Sequence, residues 1–487
     1  MIGRTTEHFL SRCWWWLLVV LSWPVVSGCP EKHQPGEEKQ QAALPPIPDP
    51  DLANKTVLLV IMDTVRRDRT AICGYHKPTT PNLVQLSRQA TTFCRMVAPG
   101  TWTLPVHASI FTGTLLTRHR AGFMKGGIHL PGFAHLSMSR LADGIPTLAE
   151  LFAAAGYQTA LVSTNPVLHP ATGLARGFQQ VMVAPRFALG KAGAAYRPLA
   201  GLLRRLTPKK PLLLVVNIYL AHSPYEQVPA TAGWTEATDR VLGPYDNGLF
   251  TRYTTGRIPA AQAEEILRPL RSAYDWGVHL ADRDLGRVLA LLQGAGWLTP
   301  RSVVVVTSDH GELLGEHLLL DHGRTVARED IDVFAVVQAP GFPAGRRDDH
   351  LVQSQDIFPT LLQVAGIAHD VAGTPEAIPL QRPRPGRIAI TLGRPDPHWT
   401  KITGGLRGSK HLVAVQQGER RVVWREPDQL LGESVPGITP RAENTRPDEK
   451  LSRLARRLGK QLGQLDGTAA QLPPETVESL RSLGYVE

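Results

Sequence analysis

Apolar residues along this chain fall into runs whose texture changes by region. From Thr56 onward the first run is Val57-Leu58-Leu59-Val60-Ile61-Met62, unbroken and largely β-branched or aliphatic. Strands buried on both faces read this way, and they belong to parallel sheets covered by helices. Thr159 to Val162, Leu212 to Ile218 and Val303 to Val306 have the same texture. Between them apolar positions recur at helical spacing. Pro81 to Gln89 and Ile145 to Ala155 predict amphipathic helices, the second closed by Gly156. Ile266 to Gln293 predicts a long one, with Leu267, Leu270, Tyr274, Val278, Leu285 and Leu289 near one face. Gln355 to Val364, closed by Gly366, predicts another. Strands alternating with helices predict an α/β domain with a doubly wound, mainly parallel sheet.

The pattern divides the chain into four parts. Residues 56–370 carry the α/β pattern. Residues 371–487 carry shorter strand-like runs, Arg387 to Leu392, Lys410 to Val415 and Arg420 to Trp424, which predict a small antiparallel sheet in a C-terminal subdomain. Lys450 to Lys460 predicts a basic helix with Leu451, Leu454 and Leu458 on one face, packed on the domain in preference to an anionic membrane surface. Residues 1–28 have the parts of an export signal: Arg4 and Arg12, then the apolar stretch Trp14 to Val26. That stretch is too short to span a bilayer comfortably. It ends in Val26-Ser27-Gly28-Cys29, an apolar residue, two small ones and a cysteine, which is similar to a bacterial lipobox. Cys29 is therefore the expected lipid attachment point, with an uncleaved anchor as the alternative. Residues 29–55, rich in Pro, Glu, Lys and Gln, predict a disordered tether. The expected location is a bacterial membrane, with the soluble domain in the periplasm or outside the cell.

Composition narrows the classes. Apolar residues at 43% and charged residues at 20% of 487 allow an ordinary globular core. The net charge of +10 would suit an anionic partner. No basic run is interleaved with aromatics, so nucleic acid is not an expected partner. Beyond Cys29 only Cys73 and Cys94 remain. Two cysteines do not make a disulfide framework, and buried core thiols are preferred to a pair.

Chemistry is expected at the carboxyl ends of the strands. Asp63-Thr64-Val65-Arg66-Arg67-Asp68 follows the first strand, and His222-Ser223-Pro224-Tyr225 follows the Leu212 strand. Ser308-Asp309-His310-Gly311-Glu312 follows the Val303 strand, and Glu316-His317 and His322-Gly323 come next. Singly, Asp63 reads as a helix cap and His222 as a loop histidine. Carboxylates and imidazoles delivered together at three separate strand ends are hard to dismiss as a helix cap and loop histidines.

These segments resemble the sulfatase family of the alkaline phosphatase superfamily. Asp63 to Asp68 resembles its first metal signature, and Ser308 to Glu312 with Gly315-Glu316-His317 its second. Thr80-Pro81-Asn82-Leu83, the nucleophile segment Ala98 to Gly113, Asp356 to Leu362 and the terminal Leu480 to Tyr485 also resemble family segments. The resemblance implies one divalent metal ion on Asp63, Thr103, Asp309 and His310. The His310 imidazole favours zinc or manganese, with calcium as the alternative. It implies Thr103 as nucleophile, His222 on the transferred group and His322 at the leaving group. His107 is a further catalytic candidate, Arg66 a substrate-binding one and Asp68 a lesser one. Formylglycine sulfatases need Cys or Ser followed by x-Pro-x-Arg, and this chain has Thr103-Leu104-Pro105-Val106-His107. Threonine cannot become that aldehyde hydrate. Lipoteichoic-acid synthases and phosphoethanolamine transferases of the superfamily use threonine there. The implied function is a hydrolase or transferase of a sulfate or phosphate ester, with phosphoester chemistry favoured. The alternatives are a sulfatase acting without formylglycine and a fold that binds without turnover.

Overall fold

The structure is a computed structural model, and it describes residues 56–128, 137–183, 193–208, 210–368, 376–382, 385–393, 411–426, 428–434, 443–445 and 447–465. The leader, Cys29, the tether and the Leu480 to Tyr485 segment lie outside the described residues. No described helix is long and apolar enough to cross a membrane.

In chain order the strands are β1 (Thr56–Met62), β2 (Thr91–Val97), β3 (Phe123–Ile128), β4 (Gln158–Ser163), β5 (Gln180–Val183), β6 (Leu212–Ile218), β7 (Val303–Ser308), β8 (Leu313–Leu314), β9 (Leu320–Asp321), β10 (Asp332–Gln338), β11 (Arg346–Asp348) and β12 (Val352–Gln353). A second group holds β13 (Ile388–Gly393), β14 (Leu412–Gln417), β15 (Arg420–Arg425), β16 (Gln429–Ser434) and β17 (Glu443–Thr445). The nine-stranded main sheet runs β11-β2-β10-β7-β1-β6-β4-β5, with β12 also on β2. Strands β7, β1, β6, β4 and β5 are mutually parallel, and β10 is antiparallel to both its neighbours. The sheet is thus mainly parallel, as the unbroken apolar runs predicted.

Alternate residues of β1 feed two cores. Val57, Leu59 and Ile61 face one, with Leu104, Ile110 and Phe111 of the Thr103–Thr112 helix and Leu361 of the Ile357–Val364 helix. Leu58, Val60 and Met62 face the other, with Leu270, Tyr274, Val278 and Leu285 of the Ala260–Gly294 helix. Each fully buried aliphatic side chain contributes about 1.5–3 kcal/mol, so both faces of the sheet stabilise the strands that lead into the site. The long helix begins at Ala260, a turn and a half before the predicted Ile266, and runs through Pro269. The predicted Ile145 helix begins at Leu148, because Thr147 and Glu150 form a reciprocal capping box.

The C-terminal strands form a five-stranded antiparallel sheet. The Glu449–Gln464 helix lays Leu451, Ala455, Leu458 and Leu462 against Val413, Val415 and Trp424 of that sheet. A Cβ at Gly459 would stand 2.2 Å from the Trp424 ring, so this helix position requires glycine.

One expectation is corrected. Cys73 and Cys94 are not two core thiols; they form a disulfide, with Cα atoms 5.7 Å apart. The turn at Ala71–Cys73 folds back onto β2, and this brings together residues 21 apart in sequence.

Candidate active site

Strand register explains why the site forms. Met62 pairs with Ile218 on one side and Ser308 on the other. Asp63 and Asp309, each the next residue, therefore leave adjacent parallel strands at the same level, about 4.8 Å apart by strand spacing. Ser163 pairs with Asn217, so β4 delivers Asn165 to the same edge. Thr64 turns into the left-handed region at φ 57°, a strained conformation for a β-branched residue. There its N–H donates to Asp309 Oδ1 at 3.1 Å, and its carbonyl accepts from the Tyr274 hydroxyl at 2.6 Å.

Asp63, Asp309 and His310 are fully buried, and their ligand atoms lie within 4.8 Å of one another. One oxygen of each carboxylate is used within the protein. Asp63 Oδ2 accepts from Asn165 Nδ2 at 2.7 Å and Asn217 Nδ2 at 3.0 Å. Asp309 Oδ1 accepts from the His310 N–H at 2.8 Å as well as from Thr64. His310 Nδ1 faces the Gly311 carbonyl at 2.9 Å. Asp63 Oδ1, Asp309 Oδ2 and His310 Nε2 have no hydrogen-bond partner. Buried polar atoms are rarely left in this state.

Asp309 Oδ2 and His310 Nε2 are 3.3 Å apart, but this is not an ion pair. Burial, then the positive charge of His322, holds His310 well below the usual histidine range, so its imidazole is neutral. Burial lifts Asp63, and burial with the charge of Asp63 lifts Asp309 well above the usual carboxylate range. Two carboxylates and a neutral imidazole with three orphaned atoms make a cage short of positive charge. A divalent cation fits that donor set.

Thr103 opens the buried Thr103–Thr112 helix, with Trp102 as its cap residue. Its hydroxyl accepts from Asn165 Nδ2 at 3.1 Å, the same nitrogen that meets Asp63. Free N–H groups and the helix dipole at this end favour an anion. One turn on, His107 is fully buried and pushed down to about 4 by that burial. Its Nδ1 is 3.0 Å from the Thr103 carbonyl and 3.6 Å from Asp309 Oδ2.

His222 follows β6. Its Nδ1 faces the Ser223 carbonyl at 2.6 Å, and its ring stacks on Tyr219 at 4.1 Å. Burial, then His322, pushes it down to about 3. His322 reaches the site by a short ribbon. β8 and β9 pair antiparallel, and their tip uses left-handed turns at Gly315, His317 and Leu318. The ribbon folds back so that the His322 ring lies 4.5 Å from that of His310 and 4.9 Å from that of His222. Its Nδ1 lies 3.1 Å from Asp321 Oδ1 and 3.4 Å from Glu312 Oε1. Burial opposes the His322 charge, but the Asp321 and Glu312 carboxylates hold it well above the usual histidine range. Glu312, Asp321 and His322 form a second group with ligand-like spacing, beside the first.

Comparison with known proteins identifies the family and the fold. The sulfatase family profile covers residues 55–367. The chain belongs to the sulfatase family. Arylsulfatase K of Danio rerio is 30% identical over 136 residues, which are 28% of this chain and 25% of that protein. The chain thus aligns with about a quarter of that relative. The phosphonate monoester hydrolase of Silicibacter pomeroyi superposes with a TM-score of 0.58 at 19% identity, covering 84% of this chain and 94% of the other. A protein solved with its substrate D-glucosamine-2-N,6-O-disulfate superposes with a TM-score of 0.60 at 15% identity, covering 84% and 98%. Identities this low establish the shared fold.

Within this sulfatase fold, Arg66 has work other than the expected substrate contact. It is buried, and its guanidinium donates to both Asp68 oxygens at 2.9 and 2.8 Å, to Glu316 Oε1 at 2.8 Å and to the Glu312 carbonyl at 3.0 Å. It ties the Asp63 loop to the ribbon that carries His322, and Asp68 is its counter-charge. Asn165 and Asn217 were not found by sequence reasoning. The Thr164-Asn165-Pro166 run directly after a strand was the signal for the first.

Proposed function

We propose that this sulfatase-family chain is a metal-dependent ester hydrolase, or transferase, that acts on phosphoesters with Thr103 as nucleophile. The observation that carries the reading is the link from the Thr103 hydroxyl through Asn165 to Asp63, at a helix N-terminus beside three orphaned ligand atoms. A bound divalent cation would lower the pKa of a hydroxyl there and offset the charge of the transferring group. The imidazole in the donor set favours zinc or manganese over calcium.

The chain's own residues supply the rest. Helix N–H groups receive the anionic oxygens. His222 shares its Nδ1 proton with Ser223, so an incoming anion favours protonation of Nε2, which then donates to the transferred group. His322, held positive, supplies the proton for the leaving oxygen. A formylglycine hydrate sheds sulfate by collapsing to an aldehyde, and threonine has no such exit. A Thr103 ester must be opened at phosphorus or sulfur by water or an acceptor alcohol, and positioning with charge stabilisation suits that step for phosphoryl groups. The names of the relatives include both sulfatases and a phosphonate monoester hydrolase, which brackets this chemistry.

The same proposal places the protein outside the cytoplasm, anchored at Cys29. The lipobox-like run supports it, and so does a buried disulfide, which belongs to oxidising compartments. Turnover of nitrophenyl phosphate and nitrophenyl sulfate, with and without added metal, tests the reading. Metal-dependent phosphate release is expected. Efficient sulfate release without phosphoesterase activity would make the chain a sulfatase by other chemistry, and no turnover of either would make it a binding protein.

A further inference from the structure

We propose that Asp321 is a positioning residue for His322, fixing the imidazole so that Nε2 is the nitrogen presented to the leaving oxygen. The inference rests on the ester-hydrolase reading above and deepens it at the leaving-group side.

Asp321 is itself held from two directions. Its Oδ2 receives the Tyr245 hydroxyl and Arg324 Nη1, the latter at 2.7 Å, and Arg324 Nη2 donates to the Tyr245 oxygen at 2.7 Å. Its Oδ1 is left for His322 Nδ1 at 3.1 Å. Neighbouring residues of a strand point to opposite faces, so Asp321 and His322 would ordinarily not meet. The left-handed φ of 69° at Asp321 breaks that alternation and turns both side chains to one side. The contact is therefore built by a strained backbone within the β8–β9 ribbon. Glu312 enters at the other strand of the ribbon, but more distantly, with Oε1 at 3.4 Å. Both carboxylates lie on the Nδ1 side of the ring. Nδ1 thus carries a proton toward Asp321, and Nε2 is the nitrogen left to act on substrate.

In the step this serves, the ionised Thr103 oxygen forms a bond to phosphorus while the bond from phosphorus to the leaving oxygen breaks. Both electrons of that bond stay on the leaving oxygen, which takes the Nε2 proton. The imidazole becomes neutral and keeps its proton on Nδ1, which donates it to Asp321. Water that later opens the Thr103 ester returns a proton to Nε2, and Thr103 leaves with its electron pair. Esters with poor leaving groups need the proton, and esters of acidic phenols hardly do.

The test is a leaving-group series on Asp321→Asn, with metal content and melting temperature checked. The variant should lose on the order of a hundredfold in kcat/KM on alkyl phosphates and less than about threefold on dinitrophenyl phosphate. Tyr245→Phe, at a half-exposed position, should shift the same ratio in the same direction by less. On alkyl phosphates, Asp321→Asn in the His322→Ala background should cost nothing further, because both changes remove one device. An equal loss across leaving groups, or additive losses, would overturn the proposal. An independent readout is the imidazole N–H resonance of His322 in zinc-loaded protein, assigned with His322→Gln. A strongly deshielded Nδ1 proton that is lost in Asp321→Asn is expected. Its absence from the parent overturns the proposal, and is the result expected if the Glu312, Asp321 and His322 group instead holds a cation. A parent that cleaves no ester refutes the proposed function, and this resonance then decides the present inference alone.

Discussion

The side-chain nitrogen of Asn165 donates to the hydroxyl of Thr103 at 3.1 Å. Its second proton goes to Asp63 Oδ2 at 2.7 Å, and the Val167 N–H to Asn165 Oδ1 at 2.9 Å sets which way the amide points. One amide thus spaces the nucleophile candidate from the first metal-ligand candidate. Asn165→Ala should lower turnover by roughly tenfold to a hundredfold, in the range of losing one oriented donor. The bound metal should remain. Wild-type kcat in that variant, with metal content unchanged, would show that the amide plays no part.

Thr103→Ala removes the hydroxyl and should cost on the order of a hundredfold or more in turnover, as loss of a covalent step demands. Thr103→Ser keeps an oxygen at the helix N-terminus and should retain part of the activity. The comparison is made at matched metal content. Equal turnover of Thr103→Ala and the parent sinks the nucleophile assignment.

Protein purified without chelator should carry about one divalent ion per chain in the Asp63, Asp309 and His310 cage, four-coordinate with Thr103 if it is zinc. Elemental analysis of the Asp63→Ala, Asp309→Ala double variant should show that ion gone. Unchanged content there would place the metal elsewhere.

The Cys73–Cys94 disulfide closes a loop of 21 residues between the turn after the Asp63 loop and β2. Replacing both by alanine should lower the free energy of unfolding by about 3 kcal/mol. Denaturant titration of the parent and the variant measures it. No difference would mean that native packing alone holds the turn.

Cys29→Ala should abolish incorporation of labelled fatty acid and release the protein from membranes. A variant that still partitions and labels like its parent would refute the lipobox reading.

The sequence by itself determined the sheet strands that are buried on both faces, because an unbroken apolar run such as Val57 to Met62 has no other stable place in a covered sheet. It also determined Asp63, Asp309 and His222 as strand-end residues, since position after such a run is a local property. The antiparallel β10 was not legible. Asp332–Gln338 is apolar like its neighbours, and strand direction is decided by which partners it meets, here β7 and β2. Only the tertiary structure decided the partners. Asn165 meets Asp63 across 102 residues, Arg66 meets Glu316 across 250, and Cys73 finds Cys94 only because a turn closes on β2. Asn217 sits inside the Leu212 to Ile218 run, where sequence shows one polar residue among apolar ones and nothing of what it faces. Asp321 meets His322 because its backbone turns left-handed, while Tyr245, distant in sequence, and Arg324, three residues on, hold its other oxygen within the paired ribbon. Burial and periodicity are averages over a short window of chain; hydrogen-bond partners are fixed by distance in space, and that information appears only when the strands are in register.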